Sequence, residues 1–334
     1  MKVLVTGAAG FIGYHVALRL LSVGDCVTGV DNLNSYYDPR LKRARLEQLD
    51  RHSGFEFQLV DLAGRTASEA LFAGRKFDAI VHLAAQAGVR HSLDNPHAFT
   101  ESNITGFLNV LEGARRGRAG HLIYASSSSV YGSGNSRKIP FSIDDRCDWP
   151  ISLYAATKRA NELMAHCYTH LYEIPTTGLR FFTVYGPWGR PDMAPYRFAR
   201  AIDLGRQIDI YNYGRMFRDF TYAGDVAESV ARLVERSPQG YRLFNIGGGS
   251  PVALMDFVHA LEGALGKRAR KRFLPMQKGD VPLTHADVED LYAFTGFRPS
   301  TPLVAGIERF IAWYRDWARQ DVTRPISLSC HAAY

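Results

Sequence analysis

Long apolar runs are missing from this chain. None approaches the ~18 residues that a membrane-spanning helix requires, although 46% of the 334 residues are hydrophobic. The expectation is a soluble protein with no membrane partner. Cysteine is scarce. Cys26, Cys147, Cys167 and Cys330 lie far apart without any Cys-x-x-Cys pair. That argues against a disulfide framework or a thiolate metal centre and suits a reducing compartment. His166 and His170 are four apart on a probable helix, but no metalloprotease pattern accompanies them, so no metal is expected. Glycine appears at position 7, too early for a secretory signal peptide. The expected location is the cytoplasm. Internal repeats and low-complexity tracts are absent as well.

A dense basic stripe is also lacking. The net charge is +7, and the tightest cluster, Lys267–Arg272, is short. This excludes an obvious nucleic-acid footprint and leaves solubility or an anionic small-molecule substrate as the meaning of the sign.

What is present is alternation. Residues 2–6, Val27–Asp31, Phe55–Asp61, Ala79–Leu83 and Leu122–Ser126 read as strands, with helical stretches between them. Such a pattern predicts an α/β protein with a doubly wound parallel sheet, whose ligands sit at the carboxyl ends of the strands. The alternation loosens from about residue 179, where turn-rich segments begin. The expected organisation is a Rossmann domain over 1–178 with a return segment near 222–246. A smaller mixed α/β substrate domain would cover 179–221 and 247–320, and 321–334 would be a loose tail.

The first strand runs into Gly7-Ala8-Ala9-Gly10-Phe11-Ile12-Gly13. Glycines there permit a tight turn, close approach of backbone N–H groups to a pyrophosphate, and close packing of helix on strand. The following helix would turn its positive end toward the phosphates. Asp31, 18 residues past Gly13, ends the second strand, where a carboxylate accepts from both ribose hydroxyls and repels a 2′-phosphate. No Arg or Lys follows until Arg40, so the cofactor is expected to be NAD. Asp61-Leu62 would flank the adenine, although Asp61 could equally cap a helix.

Tyr154 and Lys158 are one helical turn apart and share a face. A free tyrosine ionises near ~10. A lysine cation and a positive nicotinamide ring would both favour the phenolate, and the expectation is a phenol acidic enough to act as a base near neutral pH. Ser127, in the run Ser126–Ser129, would align the same substrate hydroxyl.

The glycine loop, Asn32 after Asp31, His82-Leu83-Ala84-Ala85, Ser127 and Tyr154-x-x-x-Lys158 resemble the extended short-chain dehydrogenases that modify nucleotide sugars. The stretches 31–39, 84–90, 179–193 and 296–302 resemble, within that family, the members that invert carbon 4 of a UDP-uronic acid. The resemblance covers residues 1 to about 317. It implies NAD as cofactor, a UDP-sugar substrate, passage through a 4-keto sugar, and a homodimer built on helices near 97–116 and 153–171. It also implies Ser128, Ser129 and Thr183 as a neutral cradle for the sugar carboxylate, against a reading of these hydroxyls as backbone caps. Arg218 would meet the diphosphate, Arg190 and Arg90 would face the substrate, Ile210-Tyr211 would lie along the uracil and Asp280 near its ribose. Relatives that dehydrate or decarboxylate the sugar carry carboxylates after the catalytic hydroxyl residue; serines stand there in this chain. One departure is Gln277, where many relatives have arginine. The alternatives are a neutral-sugar 4-epimerase, a UDP-glucuronate decarboxylase, or a non-catalytic NAD-binding sensor or scaffold.

Overall fold

A computed structural model of the chain describes residues 1–132, 138–277 and 279–322. Its strands are β1 (Lys2–Thr6), β2 (Cys26–Asp31), β3 (Phe55–Leu59), β4 (Ala79–His82), β5 (Leu122–Ser127) and β6 (Thr176–Phe181). Then come β7 (Thr183–Tyr185), β8 (Gln207–Ile210), β9 (Phe217–Tyr222), β10 (Tyr241–Ile246), β11 (Pro251–Ala253) and β12 (Arg270–Phe273). Seven of these form one sheet in the order β10-β6-β5-β4-β1-β2-β3, with every pair parallel.

Side-chain alternation along the strands sends residues to two separate cores. Val3 and Val5 pack with Val16 and Leu20 of the helix Phe11–Ser22 and with Val226 and Val230 of the helix Ala223–Glu235. Leu4, Val30 and Ile80 pack on the other face with Phe107, Val110 and Leu111 of the helix Gly106–Arg116. Apolar contact on both faces requires helices on both faces, which is why the strands read as near-continuous apolar runs. The order reverses between β1 and β4, so the loops after these strands open a crevice.

The later chain builds a smaller lobe from two short sheets, β11-β9-β7 and β12-β8. Its core is separate: Ile208 and Ile210 pack with Phe257 and Leu261 and with Ile307, Phe310, Ile311 and Tyr314. β10 carries the chain back to the edge of the main sheet beside β6. The last helix, Leu303–Val322, continues past the expected start of the tail at 321. Residues 323–334 lie outside the described residues.

The basic cluster near 270 is not a free patch. Lys267 pairs with Asp203, Arg268 and Lys271 with Glu262, and Arg272 with Asp209. Among the described residues no group of His, Cys, Asp and Glu could hold a metal ion, and no helix is long and apolar enough to cross a membrane.

One long helix matters most for the chemistry. It spans Leu153–Tyr172, and Ser152 caps its start by accepting a hydrogen bond from the Ala155 N–H at 3.1 Å. That cap fixes the first turn, where Tyr154 sits. Two turns further on, Glu162 is wholly buried. It accepts from Arg180 through Nε at 2.9 Å and Nη2 at 3.0 Å, from Ser126 Oγ at 2.7 Å and from Arg159 at 2.8 Å. The cluster ties this helix to the ends of β5 and β6. Removing one partner of such a buried pair strands the other charge. Glu162→Ala should therefore cost about 3 to 5 kcal/mol of stability, read from urea unfolding midpoints. A loss below about 1 kcal/mol, the range of an exposed pair, would show that Glu162 does not anchor the helix.

Candidate active site

The turn after β1 is shaped by what glycine lacks. Gly7 has φ +70, and a Cβ there would stand 2.8 Å from the Ala84 nitrogen. A Cβ on Gly13 would stand 2.0 Å from the Gly7 carbonyl oxygen. No side chain fits at either position, so helix, turn and the loop after β4 meet backbone to backbone. Gly10 caps the helix Phe11–Ser22 without any side-chain hydrogen bond. The first-turn N–H groups are thus left for an anion.

A cleft opens at this turn. Gly7, Gly10, Phe11, Ile12 and Gly13 line its floor, and Asp31, Asn32, Asp61 and Leu62 line one end. Leu83, Ala84, Ala85, Ser127, Tyr154, Lys158 and Arg190 line the same cavity. Residues separated by more than a hundred positions share one cavity because each follows the carboxyl end of a parallel strand or faces it from a flanking helix. The bare helix start and the Cβ-free cradle fit a dinucleotide's pyrophosphate.

Asp31 is buried, and its Oδ1 accepts from the Leu33 N–H at 2.8 Å. Lys42 Nζ stands 3.6 Å from the same oxygen. Reading only the residues directly after Asp31 missed this cation, because the helix Pro39–Leu49 swings it back to the strand end. Burial pulls the Lys42 ammonium down, and the Asp31 charge opposes that. Asn32 donates to Asp61 at 3.3 Å. Asp61 caps the turn at Ala63 rather than the helix, whose N-cap is Gly64. Arg45, fully buried, donates to the carbonyls of Ala9 at 2.7 Å and Trp188 at 2.6 Å. It ties the glycine turn to the smaller lobe, and nothing in its local sequence marked it.

Lys158 donates to the Ala125 carbonyl at 2.8 Å, and burial lowers its pKa to about 8. Behind it, Thr6 Oγ1 bonds His82 Nδ1 at 2.8 Å and accepts from the Ala84 N–H at 3.1 Å. Burial and the Lys158 charge pull His82 down to about 3, so the imidazole is neutral. Ser127 Oγ accepts from the Ser129 N–H at 3.1 Å, so it caps the turn Ser128–Tyr131 itself. Ser128, Ser129 and Thr183 are each half-buried.

The Tyr154 phenol is held above the ordinary tyrosine value by the protein alone. Burial pushes its pKa up; a hydrogen bond with Ser127 and the charge of Arg190 pull the other way without overcoming it. The protein alone therefore does not make this phenol acidic. Any net gain in acidity has to come from positive charge brought into the cleft.

Arg90 and Tyr211 border a second cavity together with Asp280, and the Arg90 guanidinium lies 5.4 Å from the Tyr211 ring centre. Arg218 and Asp280 meet each other at 2.7 Å. Burial pulls the Arg218 guanidinium down, and Asp280 opposes it. Ile210 requires a correction. Its side chain is wholly buried in the smaller lobe's core, because strand alternation turns it inward in β8, and it does not line either cavity.

With this geometry in place, comparison with known proteins is direct. Residues 3–247 match the model of the NAD dependent epimerase/dehydratase family, and the chain belongs to that family. It is 48% identical over 332 residues to a probable UDP-glucuronate 4-epimerase of Rhizobium meliloti, covering 94% of this chain and 97% of the relative. The crystal structure of UDP-glucuronic acid 4-epimerase from Bacillus cereus with UDP-glucuronic acid and NAD superposes with TM-score 0.89 at 32% identity, over 95% of this chain and all of that one. A UDP-glucose 4-epimerase from Thermotoga maritima superposes with TM-score 0.87 at 28% identity, over 95% of this chain and 100% of that one.

The glycine contacts give a direct test. Gly13→Ala should lose about 1 to 3 kcal/mol through overpacking and should purify without bound dinucleotide, measured by thermal unfolding and by absorbance of the acid-released cofactor. Full occupancy with unchanged unfolding would contradict the backbone-to-backbone packing of the turn.

Proposed function

We propose that this protein is an isomerase that interconverts UDP-glucuronate and UDP-galacturonate by inverting carbon 4, with NAD as its resident cofactor. The observation that carries the reading is that Ser127, Tyr154 and Lys158 line the same cleft as the glycine turn and Asp31.

Asp31, Asn32, Asp61 and Leu62 would hold the adenosine half, the glycine turn the pyrophosphate, and Leu83, Ala84, Ala85, Tyr154 and Lys158 the nicotinamide half. Bound there, NAD supplies a hydride acceptor that returns the hydride at the end of the cycle. Tyr154 takes the proton of the carbon-4 hydroxyl and later gives it back. Ser127 orients that hydroxyl, and the Lys158 ammonium favours the phenolate form. The flat 4-keto sugar turns over between the two transfers.

A 4-keto uronate is a β-keto acid and loses carbon dioxide readily. Retaining the carboxylate calls for neutral hydroxyls rather than an acid or base beside it. Ser128, Ser129 and Thr183, next to the cleft residues Ser127 and Phe182 but not themselves lining the cleft, are the hydroxyls proposed for that role, and no carboxyl group follows Ser127 to shuttle protons to carbons 5 and 6. This favours epimerisation over dehydration and decarboxylation. The second cavity takes the nucleotide: Tyr211 and Arg90 at the base, and Asp280 with Arg218 near ribose and diphosphate. An arginine fork suits phosphate recognition.

Purified protein should interconvert the two uronates without added reductant, followed by chromatography of the UDP-sugars against a panel that includes UDP-glucose. UDP-xylose as main product, or preference for the neutral sugar, would overturn the assignment. Tyr154→Phe should lower turnover by about 100-fold or more while the protein keeps its NAD. A variant retaining half its rate would remove Tyr154 from the role of base.

The same reading places the enzyme in the cytoplasm as a homodimer. Supporting it, Leu108 on the helix Gly106–Arg116 and Leu163 and Leu171 on the helix Leu153–Tyr172 are exposed, Leu171 by 65%. Apolar side chains on two neighbouring helices favour a helix-on-helix contact between copies. Sedimentation should give a dimer for the parent protein and a monomer for Leu163→Glu. A monomeric parent would sink this assembly.

A further inference from the structure

Two cavities meet in this molecule, and three side chains stand on the wall between them. Tyr36 borders both, Arg190 borders the cofactor cleft and Asp192 borders the second cavity. They come from two lobes. Tyr36 follows β2 on the segment that begins with Asp31, whereas Arg190 and Asp192 lie between β7 and the helix Ala194–Asp203.

Their contacts are specific. Asp192 accepts from Arg190 Nε at 3.0 Å and from Nη2 at 2.6 Å, a two-point fork. The Tyr36 hydroxyl donates to the same carboxylate at 3.1 Å. Arg190 Nη2 also reaches the Ala87 carbonyl at 3.4 Å, and its guanidinium lies 5.6 Å from the Tyr36 ring centre. Tyr36 is itself held, with the His91 ring 4.6 Å away. Gly88 leaves room for its hydroxyl: φ there is +119, and a Cβ would stand 3.1 Å from Tyr36 Oη. The fork occupies one edge of the guanidinium. Arg190 itself borders the cofactor cleft.

Taking the proposed function as its basis, we infer that Asp192 and Tyr36 are positioning residues that hold the Arg190 guanidinium where a UDP-sugar passes from the second cavity into the cofactor cleft. Asp192 fixes the plane of the fork. Tyr36 fixes Asp192, and it does so from the segment that carries the ribose carboxylate Asp31. The polar contacts are mutually reinforcing. Burial alone would weaken the ionised forms, yet pairing keeps Asp192 low and Arg190 high. Burial, and after it the same carboxylate, pushes Tyr36 up to about 12, which keeps its hydroxyl protonated and able to donate. The arrangement also limits net charge at the wall. A guanidinium already paired offers an incoming anion direction rather than a bare positive field.

The test is a double-mutant cycle on the NAD-loaded enzyme. Asp192→Asn should raise KM for UDP-glucuronate by about tenfold, the order expected for one weakened charge-assisted contact, with a smaller change in kcat and unchanged NAD content. Tyr36→Phe should move KM in the same direction by a smaller factor. In an Arg190→Met background, Asp192→Asn should have no further weakening effect, because Asp192 acts through Arg190. Calorimetric titration with UDP-glucuronate and with UDP reads the same cycle without turnover. If Arg190→Met does not fold, Arg190→Gln takes its place. Equal losses from Asp192→Asn in both backgrounds, or a KM within twofold of the parent, would overturn the inference. A parent enzyme inactive on UDP-glucuronate would instead defeat the proposed function, and the binding cycle with UDP would still decide the positioning role.

Discussion

The close approach of the Gly7 backbone to Ala84 and Gly13 is the constraint on which the rest of the site depends. It brings the ends of β1 and β4 together at the point where the sheet reverses its order. It also sets the helix Phe11–Ser22 directly behind the turn. With any side chain in between, the helix start would move away from the cleft and the wall carrying Leu83 and Ala84 would shift outward. The cradle is formed by absence of atoms, and its geometry is enforced by two cores that grip the sheet from opposite faces.

Around that cradle the polar groups divide into those that bind and those that hold. Glu162, Arg180 and Ser126 hold the helix that presents Tyr154 and Lys158. Thr6 and His82 hold the loop after β4. Arg45 and the Tyr36–Asp192–Arg190 group join the glycine turn and the segment after β2 to the smaller lobe. Several of these groups, Tyr36, His82, Ser126 and Arg190 among them, line the cleft themselves, and together they span large separations in the chain.

Much of the fold was legible in advance because it rests on short-range patterns. Strand ends were readable from apolar runs stopped by Asp31 or by the serines after Ala125, and the glycine turn from its spacing. Tyr154 and Lys158 were readable because one helical turn guarantees a shared face. The rest failed for physical reasons. Lys42 returns to Asp31 only because a helix folds back over the strand end. Tyr36 and Asp192 meet across 156 positions, which no local periodicity encodes. Ile210 was placed with its neighbour Tyr211, but its side chain packs in the smaller lobe's core while Tyr211 begins the next turn and lines a cavity. The acidity of the phenol was expected from the lysine and the nicotinamide ring together, and in the protein alone burial holds it up.

That last point is the centre of the account: Tyr154 as the proposed base would depend on the positive charge of bound NAD, since burial in the protein alone holds its phenol up. The direct measurement is an ultraviolet difference titration of phenolate in the protein with and without bound NAD, using Tyr154→Phe to isolate the one residue. The account predicts ionisation above the ordinary tyrosine range of ~10 without NAD and a clear fall toward neutral pH with it. An identical Tyr154 titration in the two states would contradict it.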